Sequence, residues 1–134
     1  MKTKWQLVMM LSIFIASLLV TAFPTAQVAE AKGNVIRITL KSSAQYSTAK
    51  AKAKFKDAGT EKEFQVEIEN VKALAGKTLT VFVDGKKVGT FKVNALGVGR
   101  LNLNTIRGNK VPAIHSGSKV LIKFGTKKVA SGQF

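Results

Sequence analysis

The feature that most constrains this chain is a two-residue alternation of apolar with polar side chains, broken at short intervals by glycine. In residues 49–56 Ala and Phe alternate with Lys, and in residues 63–69 Glu and Gln alternate with Phe, Val and Ile. Successive side chains of a β-strand point to opposite faces, so this period predicts strands with one buried face. After residue 31 no segment keeps a helical apolar stripe, and we predict at most one short helical turn, within residues 71–75.

Eight segments carry the alternation and are bounded by turn residues. The predicted strands are residues 35–40, 48–56, 63–70, 78–83, 87–94, 99–104, 119–124 and 128–134, with a loop at 105–118. The short links favour antiparallel neighbours. The predicted fold class is all-β, an antiparallel sandwich or flattened barrel of seven or eight short strands, preceded by a signal-peptide helix.

The first 31 residues have the three parts of an export signal. A start with two lysines is followed by residues 7–23 without a charge, by Pro24, and by Ala29-Glu30-Ala31. A basic start, an apolar run and an A-x-A site predict cleavage after Ala31. The alternative is a membrane anchor, but spanning needs about 20 apolar residues and this run is shorter. We therefore expect a signal peptide at 1–31 and a single exported β domain at 32–134. That domain would be periplasmic or extracellular, and not integral to the membrane after cleavage.

Catalysis and metal binding find little support in the composition. The chain has no Cys and a single His, which excludes disulfides and Cys-based metal sites. His115 lies in a Gly/Ser loop without an acidic partner at a suggestive spacing, and most acids fall within residues 61–69. A catalytic site needs a base, an orienting group and a nucleophile together. We predict no catalytic residue, no metal site and no cofactor.

The charge of the chain points to anionic partners. Its 22 Lys+Arg face only 7 Asp+Glu, for a formal net charge of +15, and such a field attracts polyanions. The first hypothesis is a non-catalytic module whose basic face meets anionic polysaccharide, another anionic polymer or lipid head groups. The alternative is a module that binds or inhibits an acidic protein, and an enzyme of unknown type comes third. The basic surface could also serve solubility alone. Nucleic acid is disfavoured because few aromatic side chains are left for stacking, and the oligomeric state stays open.

One part of the positive charge has a structural explanation. In the register that pairs Lys56 with Glu63 and Lys50 with Glu69, every outward pair of the second and third strands is complementary and every inward pair is apolar. Such pairs specify register more than they add stability. The predicted charge ladder comprises Lys50, Lys52, Lys56, Glu63, Glu67 and Glu69. Because the glutamates neutralise the lysine row, we expect any polyanion-binding face to lie elsewhere.

A weak internal repeat suggests where that face lies. Residues 76–88 align without gaps on residues 117–129, and both segments read strand, glycine turn, Lys-Lys, strand. Two similar hairpins would each present a lysine pair at the tip. The predicted polyanion-binding residues are Lys86, Lys87, Lys127, Lys128, Arg100, Arg107 and Lys110.

The first of these hairpins turns at Asp84-Gly85, a strong hairpin signal. A two-residue loop leaves Phe82 and Phe91 together on the outer face. A three-residue loop would instead place Phe91 beside Leu79, on the inner face.

Four short stretches carry a family resemblance: LTVFVDGKKVGTF at 79–91, GVGRLNL at 97–103, VPAIHSG at 111–117 and SGQF at 131–134. With them the chain resembles small exported bacterial all-β proteins of uncharacterised function, over about residues 61–134. The resemblance implies an exported all-β domain and implies no activity, so it transfers no functional residue.

Overall fold

Eight antiparallel strands form the protein in a computed structural model, which describes residues 33–134. The strands are β1 (Asn34–Ser42), β2 (Lys50–Asp57), β3 (Lys62–Glu69), β4 (Thr78–Val83), β5 (Lys86–Lys92), β6 (Gly99–Asn104), β7 (Lys119–Phe124) and β8 (Lys127–Gln133). This confirms the all-β fold class and all eight predicted strands, with ends shifted by a few residues at most. The predicted signal peptide, its helix and the cut after Ala31 lie outside the described residues.

The strands form one sheet in the order β5-β4-β7-β8-β1-β2-β3-β6, and all the neighbours in it are antiparallel. The two end strands, β5 and β6, approach each other through side chains, without a ladder of backbone hydrogen bonds. The sheet is thus a nearly closed barrel. Its outer surface has two main faces: one over β1, β2, β3 and β6, the other over β5, β4, β7 and β8.

The inward side chains fill the barrel with aliphatic and aromatic groups. The largest fully buried ones are Phe64, Ile68, Leu79, Ile122, Val66, Val81, Val93, Val120 and Val129. Each belongs to the apolar half of an alternating segment or flanks one, so burial of that half drives the strands together.

Between β2 and β3 the register is the predicted one. Lys50 lies opposite Glu69, Lys52 opposite Glu67 and Lys56 opposite Glu63, while on the buried side Phe55 lies opposite Phe64. A slip by one residue would turn the lysines and glutamates into the core.

The internal repeat is a pair of matching hairpins, β4–β5 and β7–β8. Each has a two-residue loop, and each has a bulge at the same place, where Val88 and its repeat equivalent Val129 are the extra residues. The hairpins adjoin through β4 and β7, where Val81 lies opposite its own equivalent, Ile122. A local twofold axis therefore passes through this pair.

Neither alternative for the first hairpin is correct as a whole, because the loop has two residues but Phe91 lies on the inner face. The loop is Asp84-Gly85, with φ of 49° and 81°, as a type I′ turn requires. Since Val88 is inserted beyond that loop, Phe91 falls opposite Leu79 and is buried. Phe82 stays on the outer face without it.

Short 3₁₀ segments complete the described residues. They span Ala44–Tyr46, Lys72–Leu74 and Thr105–Arg107. The second lies within residues 71–75, where at most one short turn was predicted, and the other two were not predicted. The third opens the segment that was predicted to be a loop at 105–118. Within residues 33–134 there is no helix of the length and apolar character that crossing a membrane demands.

Candidate anion-binding surface

The charge ladder on the outer face of β2 and β3 is joined by diagonal ion pairs. Lys54 Nζ lies 2.9 Å from Glu63 Oε1, and Lys56 Nζ lies 3.5 Å from Glu61 Oε2. Of the pairs expected directly across the strands, only that between Lys52 and Glu67 is present, at 3.8 Å. Long lysine side chains reach a diagonal neighbour as easily as the opposite residue. In the described part of the chain, Lys50 and Glu69 face each other without an ion pair.

Arg100 belongs to this ladder and not to a separate cationic patch. Arg100 is on β6, opposite Glu67 of β3, and its Nε donates to Glu67 Oε2 at 2.9 Å. Glu67 is thus shared between Lys52 and Arg100. Of the predicted polyanion-binding residues, Arg100 is therefore the one whose charge is already matched.

A cation that sequence reasoning missed lies on the other side of the lysine row. Arg37 on β1 is opposite Lys54, and with the ladder residues it lines a shallow groove of about 310 Å³. The alternation of β1 indicated that Arg37 points outward, but the register that sets it opposite Lys54 could not be read from the sequence. The ladder face is consequently a mixed surface of lysine, arginine and glutamate.

Asn104, at the end of β6, organises the rim of this face. Its side-chain amide donates to Glu61 Oε1 at 2.8 Å, and its Oδ1 accepts from the Ile106 N–H at 2.8 Å. The hydrogen bond from Asn104 has the largest influence on the pKa of Glu61 and lowers it below its usual value; desolvation opposes this, and the nearby Lys56 adds to the lowering. These contacts tie Glu61 and the following 3₁₀ segment to the end of β6.

The opposite face of the barrel has a different charge pattern. Alternation and register place six outward lysines on it: Lys41, Lys87, Lys92, Lys119, Lys123 and Lys128. We call these residues the lysine face. The rest of this surface consists of hydroxyl, amide and half-buried apolar side chains, namely Thr78, Thr80, Thr90, Ser131, Gln133, Phe82 and Leu121. Among residues 33–134, no Asp or Glu points outward from these strands, and Asp84 lies at the margin, in the β4–β5 turn.

Two members of the lysine face stand directly opposite each other. Lys123 on β7 pairs with Lys128 on β8, and the Nζ of Lys123 lies 5.6 Å from the centre of the Phe82 ring. Like charges directly across two strands destabilise a sheet. In the part of the chain that the structure describes, neither lysine has a carboxylate within ion-pair distance. A bound anion would remove this repulsion.

The two hairpin tips lie at opposite ends of the lysine face. Val83, beside the first tip, is opposite Val120, whereas Thr80 is opposite Lys123, near the second tip. Lys87 and Lys128 both point outward from the sheet, about 16 Å apart, given three strand spacings across and two residues along. The tips are thus joined by the face between them, and are not one cluster.

The remaining predicted residues are dispersed. Arg107 is exposed in the 3₁₀ segment Thr105–Arg107, on the ladder side of the barrel. Lys110 lies in the following loop, against the β4–β5 tip that carries Lys86 and Lys87. The structure therefore brings three of the seven predicted residues together at this tip, and separates them from the other four.

His115 lies beside the same tip. Its Nε2 is 3.7 Å from Asp84 Oδ2, while Asp84 Oδ1 accepts the backbone N–H of Lys119 at 2.9 Å. Asp84 thus ties the turn to the start of β7. The described residues contain no group of three side chains suited to hold a metal ion.

No family model matches the chain, and no curated protein matches it either.

Proposed function

We propose that this protein is an exported, non-catalytic binding module whose lysine face engages anionic polymers. One observation supports this above all others: the carboxylates are segregated. In the described chain the acids cluster around β2 and β3, at Asp57, Glu61, Glu63, Glu67 and Glu69, and only Asp84 lies elsewhere. The cations on the other side of the barrel therefore lack local compensation.

Such a surface attracts a polyanion because a patch of one sign of charge raises the local concentration of molecules of the opposite charge. On the ladder face Lys52, Lys54 and Lys56 each lie within ion-pair distance of a glutamate, so their field is largely cancelled at short range. On the lysine face Lys123 and Lys128 lie opposite each other with no carboxylate between them in the described chain, so an external anion would reduce their repulsion. Retention of an unfavourable pair fits a surface adapted for binding.

The kind of cation favours a flexible polymer over a defined small anion. Ammonium groups on flexible stems act as point charges, whereas bidentate recognition of one carboxylate or phosphate uses arginine. The lysine face contains no arginine. Its threonine and serine hydroxyls can add hydrogen bonds to the sulfate, phosphate or carboxylate groups of a polysaccharide chain.

The test is heparin binding over a salt series. A face variant with Lys92, Lys123 and Lys128 changed to Gln is compared with a control variant with Lys50, Lys72 and Arg107 changed to Gln, which loses the same charge elsewhere. We expect the face variant to bind more weakly and to show a shallower salt dependence, by about 0.7–0.9 in log–log slope per lost contact if heparin behaves like nucleic acid. The control should stay close to the parent.

Equal losses in both variants would mean that only net charge matters, and would contradict a specific face. If the parent does not bind heparin at physiological salt but binds vesicles of anionic lipid, a membrane surface replaces the polymer. If it binds neither, capture of a stoichiometric acidic protein becomes the better hypothesis.

A further inference from the structure

A second recessed surface lies at the β4–β5 tip, apart from the centre of the lysine face. It is a groove of about 470 Å³ between residues 83–88 and residues 110–115. We call it the tip groove. This volume falls in the range of sites for small molecules, and it is larger than the groove on the ladder face.

The walls of the tip groove are mainly apolar. Val83 is buried at its base, and Val88, Val111 and Pro112 are half-buried around it. Val88 is the extra residue of the β5 bulge, so the bulge itself supplies one wall. A charged polysaccharide gains less from such walls than a hydrocarbon chain does, because the chain is wholly apolar and its burial removes it from water.

The rim of the tip groove carries a surplus of positive charge. Lys86, Lys87 and Lys110 line it, and in the described residues none of their ammonium groups has a carboxylate within ion-pair distance. The single acid, Asp84, already accepts the Lys119 N–H and lies near His115. An anionic group placed at the rim would meet three uncompensated cations.

We propose that the tip groove binds a small amphiphilic anion, an aliphatic carboxylate whose chain packs between Val88 and Val111 while its head group pairs with Lys86 and Lys110. Apolar walls account for the chain, and the rim cations account for the charge. This site differs from the polymer-binding face in ligand class and in place, and shares with it only Lys87.

The experiment uses decanoate as the probe, with protein of residues 32–134 followed by two-dimensional NMR. We expect saturable shifts confined to residues 83–88 and 110–115. Decanol lacks the charge and acetate lacks the chain, so each should bind at least about tenfold more weakly than decanoate. Either loss removes one of two contributions of about 1.4 kcal/mol or more.

Two variants test the two halves of the site. Lys86→Gln with Lys110→Gln should weaken decanoate about tenfold, and Val111→Thr, which keeps the side-chain shape, should weaken it several-fold. The matched control Lys123→Gln with Lys128→Gln should leave decanoate binding unchanged although it lowers heparin binding. That control keeps failure here separate from failure of the polymer proposal. Shifts spread over the lysine face, equal binding of decanol, or unchanged binding by the Lys86/Lys110 variant would overturn the proposal.

Discussion

Gly99 on β6 lies against the ring of Phe91 on β5, so that a Cβ at position 99 would fall 2.5 Å from two ring carbons. The same two strands meet at Gly89, where an added Cβ would lie 3.0 Å from Leu101. The barrel thus closes by packing a side chain of each strand onto a glycine of the other. This close approach replaces the missing backbone ladder between β5 and β6.

We therefore expect Gly99→Ala to destabilise the protein by about 1–3 kcal/mol, the usual cost of overpacking a filled core. The added methyl group must displace the Phe91 ring or push β6 away from β5. Chemical denaturation at neutral pH measures the loss. In the background of Phe91→Leu the same substitution should cost less, and additive losses in this double-mutant cycle would show that the two residues do not touch.

Reversing the charge of Glu67 tests the ladder. Glu67→Lys places a lysine against both Lys52 and Arg100, and should lower stability by about 0.5–1 kcal/mol. Adding Lys52→Glu should recover only part of this loss, because Arg100 still faces the new lysine. Adding Arg100→Glu as well should recover more. Thermal unfolding of the single, double and triple variants measures these changes in stability. A triple variant no more stable than the single one would contradict the observed contacts.

The ladder and the repeat could be predicted from sequence because both follow from local patterns. Charge complementarity between adjacent strands favours one register. Two similar hairpins are recognised because the same pattern of strand, glycine turn and Lys-Lys recurs at a fixed spacing. The observed β2–β3 pairing and the matching β4–β5 and β7–β8 hairpins are the structural results of those two patterns.

What the sequence could not predict was the pairing of strands distant along the chain. Nothing in β7 indicates that it lies beside β4, and nothing in β1 sets its register against β2, since any alternating segment can pair with any other. Hence Arg37 was missed beside Lys54, and the lysine face was seen only as two separate tips. The β5 bulge was equally hidden, because an extra Val88 leaves no sequence signature.

The pH dependence of stability should include a contribution from Glu61. Its pKa is lowered in the folded state, first by the Asn104 hydrogen bond, so its ionised form contributes stability that is present above its unfolded pKa. That contribution is lost as the pH falls through the folded value. Glu61→Gln should therefore be less stable than the parent at pH 7, and the gap should narrow in acid.

Urea unfolding at several pH values between 7 and 3 measures this gap. Glu69→Gln is the matched control, because Glu69 also lies beside β2 but makes no ion pair in the described chain. A gap for Glu61→Gln that stays constant down to pH 3 would contradict the assigned role of Asn104.

Processing of the chain is a separate prediction. The A-x-A spacing before Lys32 and the break at Pro24 lead us to expect a mature protein that begins at Lys32. N-terminal sequencing of the protein recovered outside the cytoplasm tests this. A product that starts at Met1 and sediments with membranes would show that the apolar run anchors the protein.

The pair formed by Lys123 and Lys128 should affect folding stability and heparin binding in opposite directions. Because the two residues lie opposite each other on β7 and β8, Lys128→Glu replaces a pair of like charges with a pair of opposite charges and should raise stability by about 0.5–1 kcal/mol. The same change places a carboxylate in the lysine face, so heparin affinity should fall.

Lys72→Glu changes the charge equally at an exposed site off this face. It should leave stability nearly unchanged and lower heparin affinity much less. Denaturation and heparin titration on both variants give the two readouts. If Lys128→Glu gained stability without losing affinity, the lysine face would not be where the polymer binds. If it lost stability, the direct opposition of the two lysines would be wrong.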